Sequence, residues 1–268
     1  MVSNIGMVNK FSLLMLVALS FSASAIGQDI LVPANDSTKL TSQQLYDKGN
    51  EYYKRKDYDG SVVWIRRAAD MGNLEAICRL GYMYSEGYGV PLDVYEAVRL
   101  TRIAADAGYP KAEFNMAYFY GTGQGVEQSL KKAVSWYKKS AGHAYPDAQA
   151  ALGSMYYEGK GVRQSYTKAK KLFEKAAPEG IHEAQCNLGH LYYEGLGVKQ
   201  DYGKAFYWYK KSADQGHADA QFIVGKMFED GLGVDKDLSQ AIQWYEKAAE
   251  QNYEDAVERL RKYKRSFP

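Results

Sequence analysis

A period of 36 residues, kept without a gap from Ile77 to Ala256, constrains this chain more than any other feature of its sequence. Blocks begin at Ile77, Glu113, Gln149, Gln185 and Gln221. Their fifth position reads Gly81, Ala117, Gly153, Gly189 and Gly225, and their eighth reads Tyr84, Tyr120, Tyr156, Tyr192 and Phe228. Glycine fills the eleventh and thirteenth positions of every block, valine the fourteenth, and alanine the twenty-first, twenty-ninth and thirty-sixth. A unit this short cannot enclose a core by itself, so the copies must stack and share one.

Each block reads as a pair of helices. The first covers roughly positions 1 to 10, with apolar residues three and four apart. The glycine at position 11 supplies the left-handed conformation that ends it. After the Gly-x-Gly-Val loop, position 17 offers Asp93, Ser129, Ser165, Asp201 and Asp237, side chains that accept bonds from the free N–H groups opening a second helix. That second helix sets small alanines against large aromatic or leucine side chains, which lets neighbouring helices approach closely. The class expected is all-α, built from stacked helix-turn-helix repeats.

The flanks are read separately. Residues 1–25 hold one charge, Lys10, then the apolar run Phe11 to Phe21 and the small residues Ala23-Ser24-Ala25. This is the pattern of a cleaved signal peptide, too short for a comfortable membrane span. It predicts an exported bacterial protein, periplasmic or secreted, with no stable membrane insertion after cleavage. Residues 26–41 read as a flexible leader and 42–76 as an atypical first repeat. In that repeat Gly49 matches position 5, and Lys56-Asp57-Tyr58 replaces the glycine loop. Residues 257–268 restart a first helix but put Arg261 at the packing-glycine position, as a terminal cap would. Its run Arg259, Arg261, Lys262, Lys264 and Arg265 is either a solvated end or a contact for an acidic surface.

The stretch Leu188-Gly-His-Leu-Tyr-Tyr-Glu-Gly-Leu-Gly-Val, with Ala205 and Trp208-Tyr-Lys-Lys-Ser-Ala-Asp-Gln-Gly216 beyond it, resembles the Sel-1-like repeat. That family is a 36-residue relative of the tetratricopeptide repeat. The resemblance covers 77–256 closely and 45–76 more loosely. It implies a right-handed α-solenoid that binds proteins or peptides. By the same analogy, first-helix residues line the concave face. The expected partner-binding residues are therefore Tyr53, Tyr82, Asn115, Tyr118, Tyr157, Asn187, His190 and Tyr193. Tyrosine there offers a rigid apolar body with a polar tip; partial burial between helices is the competing reading of the same rings. The position-8 rings are expected in the core.

Signals for chemistry are weak by comparison. Three Ser-x-x-Lys matches occur, Ser129 to Lys132, Ser135 to Lys138 and Ser165 to Lys168, without the Ser-Asp-Asn or Lys-Thr-Gly companions of a β-lactam site. Two of them coincide with helix caps. His143, His182, His190 and His217 show no metal-ligand spacing, so neither metal nor cofactor is expected. Lys plus Arg total 34 against 32 Asp plus Glu, which removes the usual electrostatic case for nucleic acid. Cys78 and Cys186 share repeat position 2 three units apart. Stacked helices would hold them ~25 Å apart, whereas a disulfide needs Cα atoms within about 7 Å, so no intramolecular bridge is expected. The reading is an exported, non-catalytic scaffold for a protein or peptide. The alternatives are a secreted host-interaction factor and a β-lactam-binding or hydrolysing protein.

Overall fold

Proline and glycine punctuate the chain into helices of nearly equal length. The computed structural model describes residues 40–266, so the signal peptide expected at 1–25 and nearly all of the leader lie outside the described residues. Thirteen α-helices and no strand occur among the described residues. They pair as α1 (Ser42–Lys54) with α2 (Tyr58–Asp70), α3 (Leu74–Glu86) with α4 (Val94–Asp106), and α5 (Pro110–Thr122) with α6 (Leu130–Gly142). Then come α7 (Pro146–Glu158) with α8 (Tyr166–Ala176), α9 (His182–Glu194) with α10 (Tyr202–Asp214), and α11 (Ala218–Asp230) with α12 (Leu238–Glu250). The last helix, α13 (Glu254–Ser266), stands without a mate. Each helix packs on the next, giving a right-handed α-solenoid. Only α8 falls short of 13 residues. Pro178 has no N–H to continue the helical ladder, and a single 3-10 turn, Ala177–Glu179, finishes the segment. Among the described residues no helix is long and apolar enough to cross a membrane.

The glycine and N-cap assignments hold. Gly87, Gly123, Gly159, Gly195 and Gly231 close the first helices in the left-handed region. Asp93, Ser129, Ser165, Asp201 and Asp237 each accept a backbone N–H at the start of a second helix. The start of the first helix differs from expectation. It lies three residues earlier, at Leu74 rather than Ile77, so the alanine of position 36 belongs to the following helix. The residues capping that end are Asn73, Tyr109, Tyr145, Ile181 and His217. Only Asn73 and His217 use their side chains, and Pro110 and Pro146 supply a first-turn proline instead. At the other boundary, Thr41 is no part of a loose leader: it forms a reciprocal capping box with Gln44.

Packing follows the small-against-large rule. A Cβ at Gly153 would stand 2.6 Å from the ring of Phe173, at Gly189 2.9 Å from Tyr209, and at Gly225 2.7 Å from Tyr245. Those three rings are almost wholly buried. A polar column runs beside them. Gln185 and Gln221 donate to the carbonyls of Ala177 and Ala213 and accept from Gln215 and Gln251, so the buried amides are satisfied across repeats. In the third repeat Glu113 takes the glutamine's place, with His143 Nδ1 at 3.0 Å. The position-8 rings are less uniform than expected. Tyr120 and Tyr192 are buried, but Tyr84, Tyr156 and Phe228 are half-buried. Arg66 and Arg102 donate to the hydroxyls of Tyr84 and Tyr120, which draws these rings towards the preceding second helix.

The thirteenth-position glycine does more than turn the chain. At Gly161 (φ +68°) a Cβ would lie 2.8 Å from the carbonyl oxygen of Leu130, so each loop seats on the preceding repeat. Gly72 (φ +80°) has the same handedness with nothing within 4 Å. Gly72→Ala should cost about 1 kcal/mol, the left-handed penalty alone, whereas Gly161→Ala should cost about 3 kcal/mol because a backbone must also move. Urea unfolding of the two variants measures the difference, and equal losses would refute the seating.

The solenoid ends on an inward contact. Leu260 and Tyr263 pack on α12, and Arg259, expected within a basic run, pairs with Glu229. The side chains of Lys264 and Arg265 lie outside the described residues. Burial opposes ionisation of Glu229, yet hydrogen bonds from Arg259, Tyr245 and Tyr263 hold its carboxyl below the usual range. A depressed carboxyl contributes stability above its unfolded value, near about 4.3, and loses it as pH falls through the folded one. Arg259→Met should therefore destabilise by about 1 kcal/mol at neutral pH, the pair being part-exposed. The deficit should shrink as pH falls through the folded carboxyl's depressed range, as read from urea midpoints of variant and parent.

Candidate functional site

Helical spacing puts Glu75, Cys78, Arg79 and Tyr82 on one face of α3, where α1 and α5 flank it. Together with Tyr46 and Tyr53 of α1 they line a cavity of about 330 Å³, which Asn115 of α5 also reaches. Tyr46 donates to Glu75 Oε1 at 2.8 Å, which occupies that carboxylate. The Arg79 guanidinium lies 4.8 Å from the centre of the Tyr53 ring. Asn115 Nδ2 stands 3.6 Å from Cys78 Sγ. Burial pushes the Cys78 thiol up to about 11 against the opposing pull of Lys111 and Arg79, so it is a neutral, poorly nucleophilic group. Burial and the neighbouring Tyr82 likewise push the Tyr53 phenol up to about 12.

A second cavity of about 740 Å³ adjoins the first and shares Tyr82 and Asn115 with it. Leu92 from the α3–α4 loop, Tyr95 of α4, and Phe114 and Tyr118 of α5 give it apolar walls, interrupted by Ser85, Glu86 and Gln124. Four of these lining residues are large hydrophobics left in solvent, with Tyr82 38%, Tyr118 48%, Leu92 66% and Tyr95 78% exposed. Exposed apolar groups gathered in one concavity mark a contact surface more readily than the same groups scattered. Tyr88 stacks on Tyr58 at 4.4 Å and meets both Tyr53 and Tyr82 edgewise, so two of the lining rings are held by contacts from the α3–α4 loop.

The eight residues expected to bind a partner thus divide. Tyr53, Tyr82, Asn115 and Tyr118 line the two cavities. Tyr157, His190 and Tyr193 lie elsewhere, half-buried in ring contacts. Tyr157 sits edgewise on Tyr166 and His190, Tyr193 on Tyr202, and His190 Nδ1 is 3.2 Å from the Tyr209 hydroxyl. Asn187 is half-buried on α9. Sequence reasoning missed Tyr46, Glu75, Arg79, Tyr109 and Lys111, which also line the first cavity. Arg79 occupies the same repeat position as Asn115, two residues before the packing glycine, and that register was the available signal.

Other chemistry finds little support in the geometry. The hydroxyls of Ser129 and Ser165 accept the N–H groups of Lys132 and Lys168, so both are engaged as helix caps. His182 and His217 touch ring to ring at 5.2 Å, and no group of three or more His, Cys, Asp or Glu residues among the described residues could hold a metal ion. Cys78 and Cys186 are both free thiols, the first buried and the second part-buried. Burial pushes Cys186 up to about 12. Neither thiol should alkylate with iodoacetamide at neutral pH in the folded protein, and both should react once it is unfolded. Mass spectrometry reads the adducts, and rapid native labelling of Cys78 would contradict the closed site.

The Sel1 repeat model matches residues 42–73, 74–109, 110–143, 146–180, 182–217 and 218–253. No curated protein gives a significant match to the chain. Among solved structures, a Sel1 repeat protein from Oxalobacter formigenes is 33% identical with a TM-score of 0.74, over 80% of this chain and 88% of that one. The structure of c5321, described as a protective antigen present in uropathogenic Escherichia coli strains, is 34% identical with a TM-score of 0.73. That match covers 80% of this chain but 47% of the antigen, so the chain spans about half its length. An immunity protein from Pseudomonas aeruginosa, 20% identical with a TM-score of 0.53 over 80% of this chain and 87% of its own, shares the fold alone.

Proposed function

We propose, from the premise that this chain belongs to the Sel1 repeat family, that it is an exported, non-catalytic scaffold holding a protein or peptide partner in the groove of α1, α3 and α5. Sel1 repeats in general mediate protein interactions. The observation that carries the finer reading is the pair of adjoining cavities, both lined by aromatic rings and the first also by Arg79 and Lys111. Arg79 and Lys111 outnumber the one carboxylate lining the first cavity, Glu75, whose Oε1 accepts from Tyr46. Tyr82 at the junction and Tyr118 in the second cavity carry the large, rigid apolar surface that anchors interfaces. Asn115, touching both cavities, offers one donor and one acceptor to a passing main chain.

Periplasmic or extracellular placement rests on the leader at 1–25. A secreted host-interaction factor is the second reading, supported by the likeness to a protein described as a protective antigen. The β-lactam reading is weakened by the capping duty of Ser129 and Ser165. Removing both anchors, Tyr82→Ala with Tyr118→Ala, should weaken partner capture by about a hundredfold or more, following the cost of truncating central aromatic contacts. Tyr157→Ala with Tyr193→Ala should change it far less. Quantified pull-down from the native compartment checks the pair, and an unchanged catch with the first double variant would remove the groove assignment.

A further inference from the structure

The near-neutral total hides a local separation of charge between the two helix layers, confined to α6 through α10. Helices α6, α8 and α10, the second members of three successive repeats, carry eleven lysines and no arginine, against Glu174 and Asp214 alone. The first helices between them, α7 and α9, carry Asp147, Glu158, Glu183 and Glu194 with no lysine or arginine. The lysines recur in ranks along the stack: Lys132, Lys168 and Lys204 at one repeat position, and Lys139, Lys175 and Lys211 at another. All six of these are exposed. The two carboxylates are consumed by Lys170 and Lys210, at 2.7 and 2.6 Å. Lys131, Lys138, Lys171 and Lys175 are exposed, and among the described residues none of them makes an ion pair.

From this separation we propose that the α6–α8–α10 face docks on an anionic lipid bilayer as a peripheral contact. The choice of residue argues for a diffuse target. Lysine is a mobile point charge without the planar fork that recognises single phosphates, and ranks spread over three repeats suit a broad sheet of charge. Apolar groups stand among the lysines: Leu130 of α6 is 40% exposed, and Tyr207 of α10 is 52% exposed with Lys211 5.3 Å from its ring. Lysine beside tyrosine and leucine is the composition of a surface that rests in a headgroup layer. The proposal is independent of the groove, which lies on other helices.

The test is co-sedimentation of the exported full-length product with vesicles of phosphatidylcholine alone, or with about 30 mol% phosphatidylglycerol. Anionic vesicles should bind it, neutral ones should not, and binding should fall at least about tenfold between about 50 and about 300 mM salt. Lys131→Glu, Lys138→Glu, Lys171→Glu and Lys175→Glu combined should lower anionic-vesicle binding by about a hundredfold. The same four changed to Gln should give a smaller loss, and to Arg almost none. Circular dichroism confirms that each variant remains helical. Equal binding to neutral vesicles, full retention by the Glu variant, or capture by a soluble polyanion such as polyphosphate with none by vesicles would each overturn the assignment. Loss of vesicle binding with partner capture intact would leave the groove reading standing.

Discussion

The architecture depends on one contact, repeated: a residue with no side chain on the first helix of a pair, covered by a large side chain from the second. Gly49 under Ile65, Gly153 under Phe173, Gly189 under Tyr209 and Gly225 under Tyr245 bring paired helix backbones closer than ordinary side chains would permit. The contact recurs at one register in four of the six pairs, with Ala117 in place of the glycine in the third, and like pairs can be stacked. Glycine costs backbone entropy within a helix, so its use there reflects the burial of a whole ring against the opposite backbone. In the second repeat Thr101 takes the ring's place, and Gly81 lies against its hydroxyl and the carbonyl of Ala97. This small partner leaves the neighbourhood of α3 and α5 differently filled from the later repeats, which is where the two cavities lie.

Much of this was legible in the sequence because the repeat copies its own constraints. The eleventh-position glycine, the Asp or Ser cap at position 17 and the packing glycine each answer a local demand that few residues can meet. The first-helix start was not legible, since Asn73, Tyr109, Tyr145, Ile181 and His217 meet the same need by different means. Nor was the early end of α8. Pro178 occurs in this copy of the repeat alone, so the shared period carries no trace of it.

The candidate site was half legible. Periodicity put tyrosines on first helices but could not distinguish a ring facing solvent from one lying on the next helix. Tyr82 and Tyr118 face their cavities, while Tyr157 and Tyr193 rest on Tyr166 and Tyr202, the residues that follow the caps Ser165 and Asp201. In the second repeat Val94 stands at that place instead of an aromatic, and in the third Leu130 does. Tyr82 and Tyr118 also stand at repeat position 6, whereas Tyr157 and Tyr193 stand at position 9, so the two pairs leave their helices at different angles. Charge shows the same lesson at a larger scale. A net value of +2 conceals lysine-rich second helices, α6, α8 and α10, beside acidic first helices, α7 and α9, and only the pairing of helices assigns each residue to its layer.

The central claim is that recognition belongs to the first helices near the start of the stack. Hydrogen exchange of the protein with and without its captured partner tests that claim most directly. The account predicts added amide protection concentrated in 74–86 and 110–122, with the loop around Leu92. Protection confined to 202–250, or spread evenly over all repeats, would contradict it.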